Sequence, residues 1–347
     1  MNTFKAAVLE NLGKPLIIKE LKIPKLEFGQ VLIKLKYSGV CRSQLMEVKG
    51  SRGEDKYLPH LLGHEGMGVV FGVGPGVTKV NIGDEVIIGW IKGIGIDSQN
   101  PIFLCENNII INSGGATTFS ELSIVSENRV YLKPKELEDH TAVLFGCAML
   151  TGAGLVFNEL TPEKNNSVLL LGLGGVGLSV LISLFVINPK RIIVADSSAE
   201  KRKLALSLGV QLVFDSTSEN FLDKIINLSN GGVDVAYDCA GSTESIETAF
   251  QCIKAPGGQL IFASHPNSGE KIKLDPFDLI RGKTIRGSWG GNSLPDRDIP
   301  KFAKLLGKQL SNLDNLLGKR YCLNDINSAL ESLDNGENLR PIIDMQI

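Results

Sequence analysis

The chain has 347 residues, 43% of them hydrophobic and 21% charged, with a net charge of −2. That composition is ordinary for globular proteins, the length suits about two domains, and the absence of a basic run argues against a nucleic-acid partner. The opening MNTFKAAVLE lacks a secretory pattern and the longest apolar stretch, Leu178–Ile187, is too short to span a bilayer, so a cytoplasmic protein without a membrane partner is expected.

In chain order, Phe4–Leu9, Leu16–Leu21 and Val31–Tyr37 read as short strands separated by turns at Gly13-Lys14-Pro15 and Phe28-Gly29-Gln30. Glycine then becomes dense from Gly63 to Gly83 in a stretch that otherwise favours β structure, which suggests the bends and bulges of a distorted barrel. Gly83-Asp84 turns into a strand over Glu85–Trp90. From about Thr151 strands and helices alternate. The strands are Val168–Leu171, Arg191–Ala195, Val210–Phe214, Val233–Asp238 and Gly258–Ser264; the helices are Leu178–Val186, Ala199–Leu208, Phe221–Leu228 and Ser245–Cys252. That pace implies crossovers and a parallel sheet covered on both faces. After Arg286 the alternation lapses into helices at Ile299–Leu306 and Ile326–Leu333 and a last strand, Pro341–Met345, in a tail that returns to the first domain.

The loop Gly172-Leu173-Gly174-Gly175-Val176-Gly177 follows the strand Val168–Leu171 and opens a helix, and Asp196 ends the next strand. Three glycines in that context serve a tight turn, the approach of backbone to a pyrophosphate, and close helix–strand packing. The helix N-terminus offers N–H groups and a positive dipole to phosphate. Asp196 can accept from ribose hydroxyls and would repel a 2′-phosphate, which favours NAD over NADP.

Six cysteines (Cys41, Cys105, Cys147, Cys239, Cys252, Cys322) are too scattered for a disulfide framework. Cys41, His64 and Cys147 together could hold zinc with one tetrahedral position open, as a catalytic site requires, and the metal would polarise an alcohol oxygen. Taken singly, each reads as readily as a core cysteine or a satisfied histidine.

With Gly63-His64-Glu65-Gly66-x-Gly68-x-Val70, Gly83-Asp84-x-Val86 and the glycine loop with Asp196, the chain resembles, nearly end to end, the zinc-dependent alcohol dehydrogenase branch of the medium-chain dehydrogenase/reductases. The resemblance implies an α/β fold: a Rossmann doubly wound parallel sheet over 151–286 and a GroES-like distorted β-barrel catalytic domain over 1–150 and 287–347. It implies Cys41, His64 and Cys147 as ligands of one catalytic zinc, Glu65 as a nearby alternate ligand, and Ser43 as the hydroxyl that takes the substrate proton. It places Arg42 and Arg340 at the cofactor pyrophosphate, Thr151 beside the nicotinamide and Lys201 near the adenosine ribose, on the glycine loop formed by Gly172, Gly174, Gly175, Val176 and Gly177. Read from the residues alone, the two arginines are as well solvated charges, Lys201 a member of a charged helix face, Ser43 a turn residue and Glu65 an outer electrostatic partner.

Two departures from the family stand out. Where many relatives hold a structural zinc on four cysteines, this chain reads Ile91-Lys92-Gly93-Ile94-Gly95-Ile96-Asp97-Ser98 with only Cys105 nearby, so one zinc per chain is expected. Gln44 stands where relatives often have an aspartate that orients the zinc-bound histidine, and the place where some relatives end the proton relay with a histidine falls here near Met46. Trp90, Ser264, His265 and Trp289 are candidate pocket residues, suggesting a sugar, polyol or cyclitol as the small-molecule substrate. A homodimer or homotetramer is expected from the family. The competing readings are a zinc-free quinone or alkene reductase of the same fold and a non-catalytic NAD-binding protein.

Overall fold

The computed structural model describes residues 2–264 and 266–347, the Asn107 side chain apart, so His265 lies outside the described residues. The chain forms two compact units. One comprises Met1–Leu150, Leu294–Lys304 and Leu313–Ile347; the other comprises Thr151–Ser293 and Leu305–Asn312.

In the second unit the alternation of strand and helix becomes a six-stranded parallel sheet. Its order is Leu212–Asp215, Arg191–Asp196, Ser167–Leu171, Val235–Asp238, Gln259–Phe262, Thr284–Gly287. The first strand in sequence lies inside the sheet and the chain winds outward from it in both directions, the doubly wound Rossmann arrangement. The helix Phe221–Leu228 falls where its apolar spacing places it, with Phe221 and Ile225 in the core. Two features differ from the sequence reading. Thr284–Gly287 adds an edge strand that its short, mostly exposed TIRG does not announce. The unit also runs on to Ser293 instead of ending at 286. Ser288 N–H donates to the Phe262 carbonyl at 2.8 Å and the Ser288 hydroxyl to the Glu159 carboxylate, which stitches the segment to this unit.

The first unit is a distorted barrel built on the strand Gln30–Gly39, which pairs with Glu65–Val73, Leu122–Ser126 and the C-terminal strand Ile342–Asp344. Register shifts at Leu32/Ile33 and Leu35/Tyr37 bend the central strand. Glu85–Gly89 extends this sheet on the far side of Glu65–Val73. A second sheet runs from His60–Leu61 through Thr3–Leu9 and Ile17–Lys22. Val31, Ile33, Leu35, Val70, Val86 and Ile88 fill one core between strands. No single helix among the described residues is long and apolar enough to cross a membrane.

The segment 91–98 is tied down by carboxylates. Glu127, 2% exposed, accepts from the amides of Thr78 at 2.6 Å, Lys79 at 2.7 Å and Ile96 at 2.8 Å. Asp296 accepts from Ile94 N–H at 2.6 Å and pairs with Lys79 at 2.5 Å. Burial alone would raise the Glu127 pKa, but the Ile96, Thr78 and Lys79 amides outweigh it and hold the carboxyl below its ordinary value. The stabilisation is therefore complete above the unfolded value of about 4.3 and is lost as pH falls through the depressed folded one. Glu127→Ala is expected to destabilise the unit by roughly 3 kcal/mol at neutral pH, with the gap to wild type closing in acid; thermal unfolding from pH 7 to pH 3 checks this.

Candidate active site

Three separate elements deliver the thiols and the imidazole. Cys41 precedes the helix Arg42–Val48, which the sequence reading did not include. His64 leads directly into the strand Glu65–Val73. Cys147 lies between the turn Val143–Gly146 and the helix Ala148–Gly154. Their ligand atoms all lie within 4.8 Å of one another. Zinc bonds of about 2.0–2.3 Å fit three such donors and leave a fourth position for substrate oxygen. The charges suit a cation as well. Contact with Cys147, with Arg340 and His64 alongside, outweighs burial and holds Cys41 well below the ordinary thiol pKa, while Cys41 and burial drive Cys147 well above it.

His64 is oriented by Gln44. The Cys41 backbone N–H can only donate, so Gln44, 2% exposed, turns Oε1 toward it at 3.1 Å. That leaves the Gln44 amide nitrogen on His64 Nδ1. His64 Nε2 is buried without a partner and remains to meet the thiols. The conflict is one of protons. A nitrogen that accepts from an amide leaves the imidazole proton on Nε2, whereas a metal on Nε2 requires that proton on Nδ1. Ligation thus obliges Gln44 to present its oxygen to His64 and release the Cys41 N–H. A carboxylate would serve both at once. Gln44→Glu is expected to tighten zinc binding by about tenfold or more, measured by competition with a chelator; unchanged affinity would show that the amide imposes no such penalty.

Beside the ligands, Arg340 and Glu65 form a buried ion pair, 4% and 0% exposed, with Arg340 Nη2 at 2.6 Å from Glu65 Oε2. Burial disfavours the guanidinium charge, but Cys41, Glu65 and Cys147 outweigh it and keep Arg340 charged. Burial raises the Glu65 pKa, with Arg340 opposing. Glu65→Ala or Arg340→Ala is expected to cost roughly 3–5 kcal/mol, and the joint replacement Glu65→Leu with Arg340→Met less than either alone, as read from thermal unfolding. Ser43 Oγ is buried with no hydrogen-bond partner, and Arg42 stands exposed at the start of the helix.

In the second unit, Gly172 has φ +86°, and a Cβ there would meet Ala240 N at 2.5 Å. A Cβ on Gly177 would run into the Gly172 carbonyl. At Gly174, among the described residues, no atom beyond its own chain neighbours lies within 4 Å of where a Cβ would be, which leaves a space that a pyrophosphate could fill. The helix Gly175–Ile187 has its first backbone bond from Leu178 to Gly174, which puts the amides of Gly175, Val176 and Gly177 ahead of the ladder. Asp196 braces this loop, accepting from Leu173 N–H at 2.6 Å and Ser198 N–H at 2.8 Å, with Lys201 Nζ at 3.9 Å. Thr151 is buried in the helix Ala148–Gly154, Trp90 is half-buried, and Trp289 is 82% exposed. Ser264 Oγ donates to the Cys239 carbonyl at 3.0 Å.

Known proteins match both units. The alcohol dehydrogenase GroES-like domain family matches residues 27–135 and the zinc-binding dehydrogenase family residues 175–308. The chain belongs to the zinc-type medium-chain dehydrogenase/reductases. This dehydrogenase is 28% identical to S-(hydroxymethyl)glutathione dehydrogenase of Paracoccus denitrificans, covering 98% of this chain and 99% of that one. It is 27% identical to alcohol dehydrogenase 2 of Zea mays over 99% and 97%. The crystal structure of benzyl alcohol dehydrogenase from Acinetobacter calcoaceticus is similar at a TM-score of 0.89 and 27% identity, covering 99% of each chain.

Sequence reasoning missed Asp238. It is fully buried two residues before Ala240, which abuts Gly172, and loss of water pushes its carboxyl up to about 7, the Ser245 hydroxyl and the Gly241 and Ala240 amides only partly offsetting this. An acidic residue ending an apolar strand is visible in the sequence, but nothing there shows that it is sealed from solvent.

Proposed function

We propose that this dehydrogenase moves a hydride between an alcohol and NAD with one zinc held by Cys41, His64 and Cys147. The observation that carries the reading is the convergence of two thiols and one unpartnered imidazole nitrogen within 4.8 Å. Bound there, zinc supplies a Lewis acid for the alcohol oxygen and NAD supplies the hydride acceptor. The protein's own groups do the rest. Ser43 Oγ, buried without a protein partner, would take the hydroxyl proton while giving up its own through the nicotinamide ribose to solvent. Glu65, held by Arg340, adds negative charge beside the thiols. Gly172–Gly177 receives the pyrophosphate, with Asp196 and Lys201 at the adenosine ribose and Thr151 beside the nicotinamide; Arg340, expected at the pyrophosphate, is instead sealed against Glu65.

Asp196 carries the choice of NAD. Asp196→Ala is expected to raise KM for NAD and reduce discrimination against NADP; an unchanged NAD/NADP ratio of kcat/KM overturns that role. Polyols, sugars and cyclitols are the first substrates to screen by NADH absorbance, with benzyl alcohol and S-(hydroxymethyl)glutathione for comparison. Activity is expected to fall on chelation. Chelator-resistant turnover of quinones or alkenes would instead mark a zinc-free reductase, and no turnover of any substrate a nucleotide-binding protein. The reading includes a homodimer or homotetramer in the cytoplasm.

A further inference from the structure

The first unit contains a second convergence of ligand atoms. Those of Glu47, Asp55 and His60 all lie within 4.8 Å of one another. Glu47 comes from the last turn of the helix Arg42–Val48 and Asp55 from the loop that follows. His60 is fixed at the backbone, paired with Leu9 and bridged to Asn112. The side chains are largely withdrawn from water: His60 is 8% exposed, Asp55 14% and Glu47 26%.

The protons of His60 decide what this group can hold. Nδ1 lies 2.9 Å from the Leu61 carbonyl oxygen, which can only accept, so Nδ1 carries a hydrogen. Nε2 lies 2.8 Å from Asp55 Oδ2. Burial would raise the Asp55 pKa, but Tyr57 N–H, at 2.9 Å from Oδ1, and His60 outweigh it, so the acid is ionised and brings no proton of its own. Two lone pairs cannot rest against each other at that distance; a proton or a metal ion lies between them. Glu47 adds a second negative charge that Arg52 offsets only from 3.5 Å, itself 41% exposed. An Nδ1–H anchored on a backbone carbonyl is also the arrangement that aims Nε2 of a metal-bound histidine.

We propose that Glu47, Asp55 and His60 bind a second divalent cation of the zinc class, separate from the Cys41, His64 and Cys147 site. One imidazole and two carboxylates suit such an ion, with water completing the shell. Ligation requires Nε2 and Oδ2 to part by roughly half an ångström, a small movement for a loop carboxylate. The ion would tie the end of the helix that Cys41 begins to the strand that leads to His64.

The test is a cobalt titration of the metal-free full chain, followed by metal analysis and absorption spectroscopy. Two ions per chain are expected, one with a thiolate-to-cobalt charge-transfer band and one without. His60→Gln should reduce the count to one and keep the thiolate band. Glu47→Gln, at a half-exposed position, should do the same and tests the site even if His60→Gln fails to fold. One ion in the wild type, with ¹⁵N signals showing both His60 nitrogens protonated, overturns the proposal: the cation is then a proton. A second ion retained in both variants overturns it too. Loss of the thiolate band would count against the catalytic site alone, so the two readings fail separately.

Discussion

A guanidinium sealed in a protein interior must be neutralised where it lies, and around Arg340 that requirement organises the first unit. Arg340 reaches Glu65 from the segment just before the C-terminal strand, and Ile342–Asp344 then pairs with Gln30–Gly39. Glu65 in turn begins the strand that follows His64, and its carbonyl lies within reach of the Ser38 and Thr118 hydroxyls, one of which donates to it while the other donates across the 2.7 Å between them. The ion pair thus joins the end of the chain to the middle of the barrel. It also places a fixed positive charge close enough to favour thiolate at Cys41. A buried pair of this kind is a poor source of net stability but a strict specifier of arrangement, because any packing that separates its members leaves two bare charges.

The same economy recurs in the nucleotide unit. Asp196 accepts from the amides of Leu173 and Ser198, one on each oxygen, so this single carboxylate shapes the glycine loop from the end of the neighbouring strand. The helix behind that loop is apolar on every side, and its two serines close their hydroxyls on carbonyls one turn back, Ser179 on Gly175 at 2.7 Å and Ser183 on Ser179 at 2.8 Å. No polar atom of theirs then needs water, and the helix can lie buried along Leu178–Leu184.

Local chemistry was legible in the sequence wherever one element carries its own signal. Apolar strands punctuated by glycine gave the parallel sheet, and the three glycines marked a tight loop that the structure folds onto Asp196. Thr284–Gly287 escaped because an edge strand is set by its neighbour and not by its own four residues. The helix Arg42–Val48 escaped because its start is capped by a glutamine reaching back to Cys41, a device that reads as an unremarkable polar residue. Cys41, His64 and Cys147 were joined only through the family resemblance, since Cys147 lies 106 positions after Cys41 and their closeness is a property of the folded unit. Gln44 was visible as an odd residue; the clash of proton demands it creates needs both of its contacts at once. Glu127 and Asp238 gave no signal, because what matters in each is the enclosure.

The brace at Glu127 bears on how the enzyme withstands stress. Its three bonds are oxygen to backbone amide, contacts that peroxide does not oxidise. Cys105, the nearest sulfur in that stretch, is buried and uninvolved in holding it. Oxidants reach the half-buried Cys41 and Cys322 more readily than the buried thiols, and damage at either leaves the segment held by Glu127 folded.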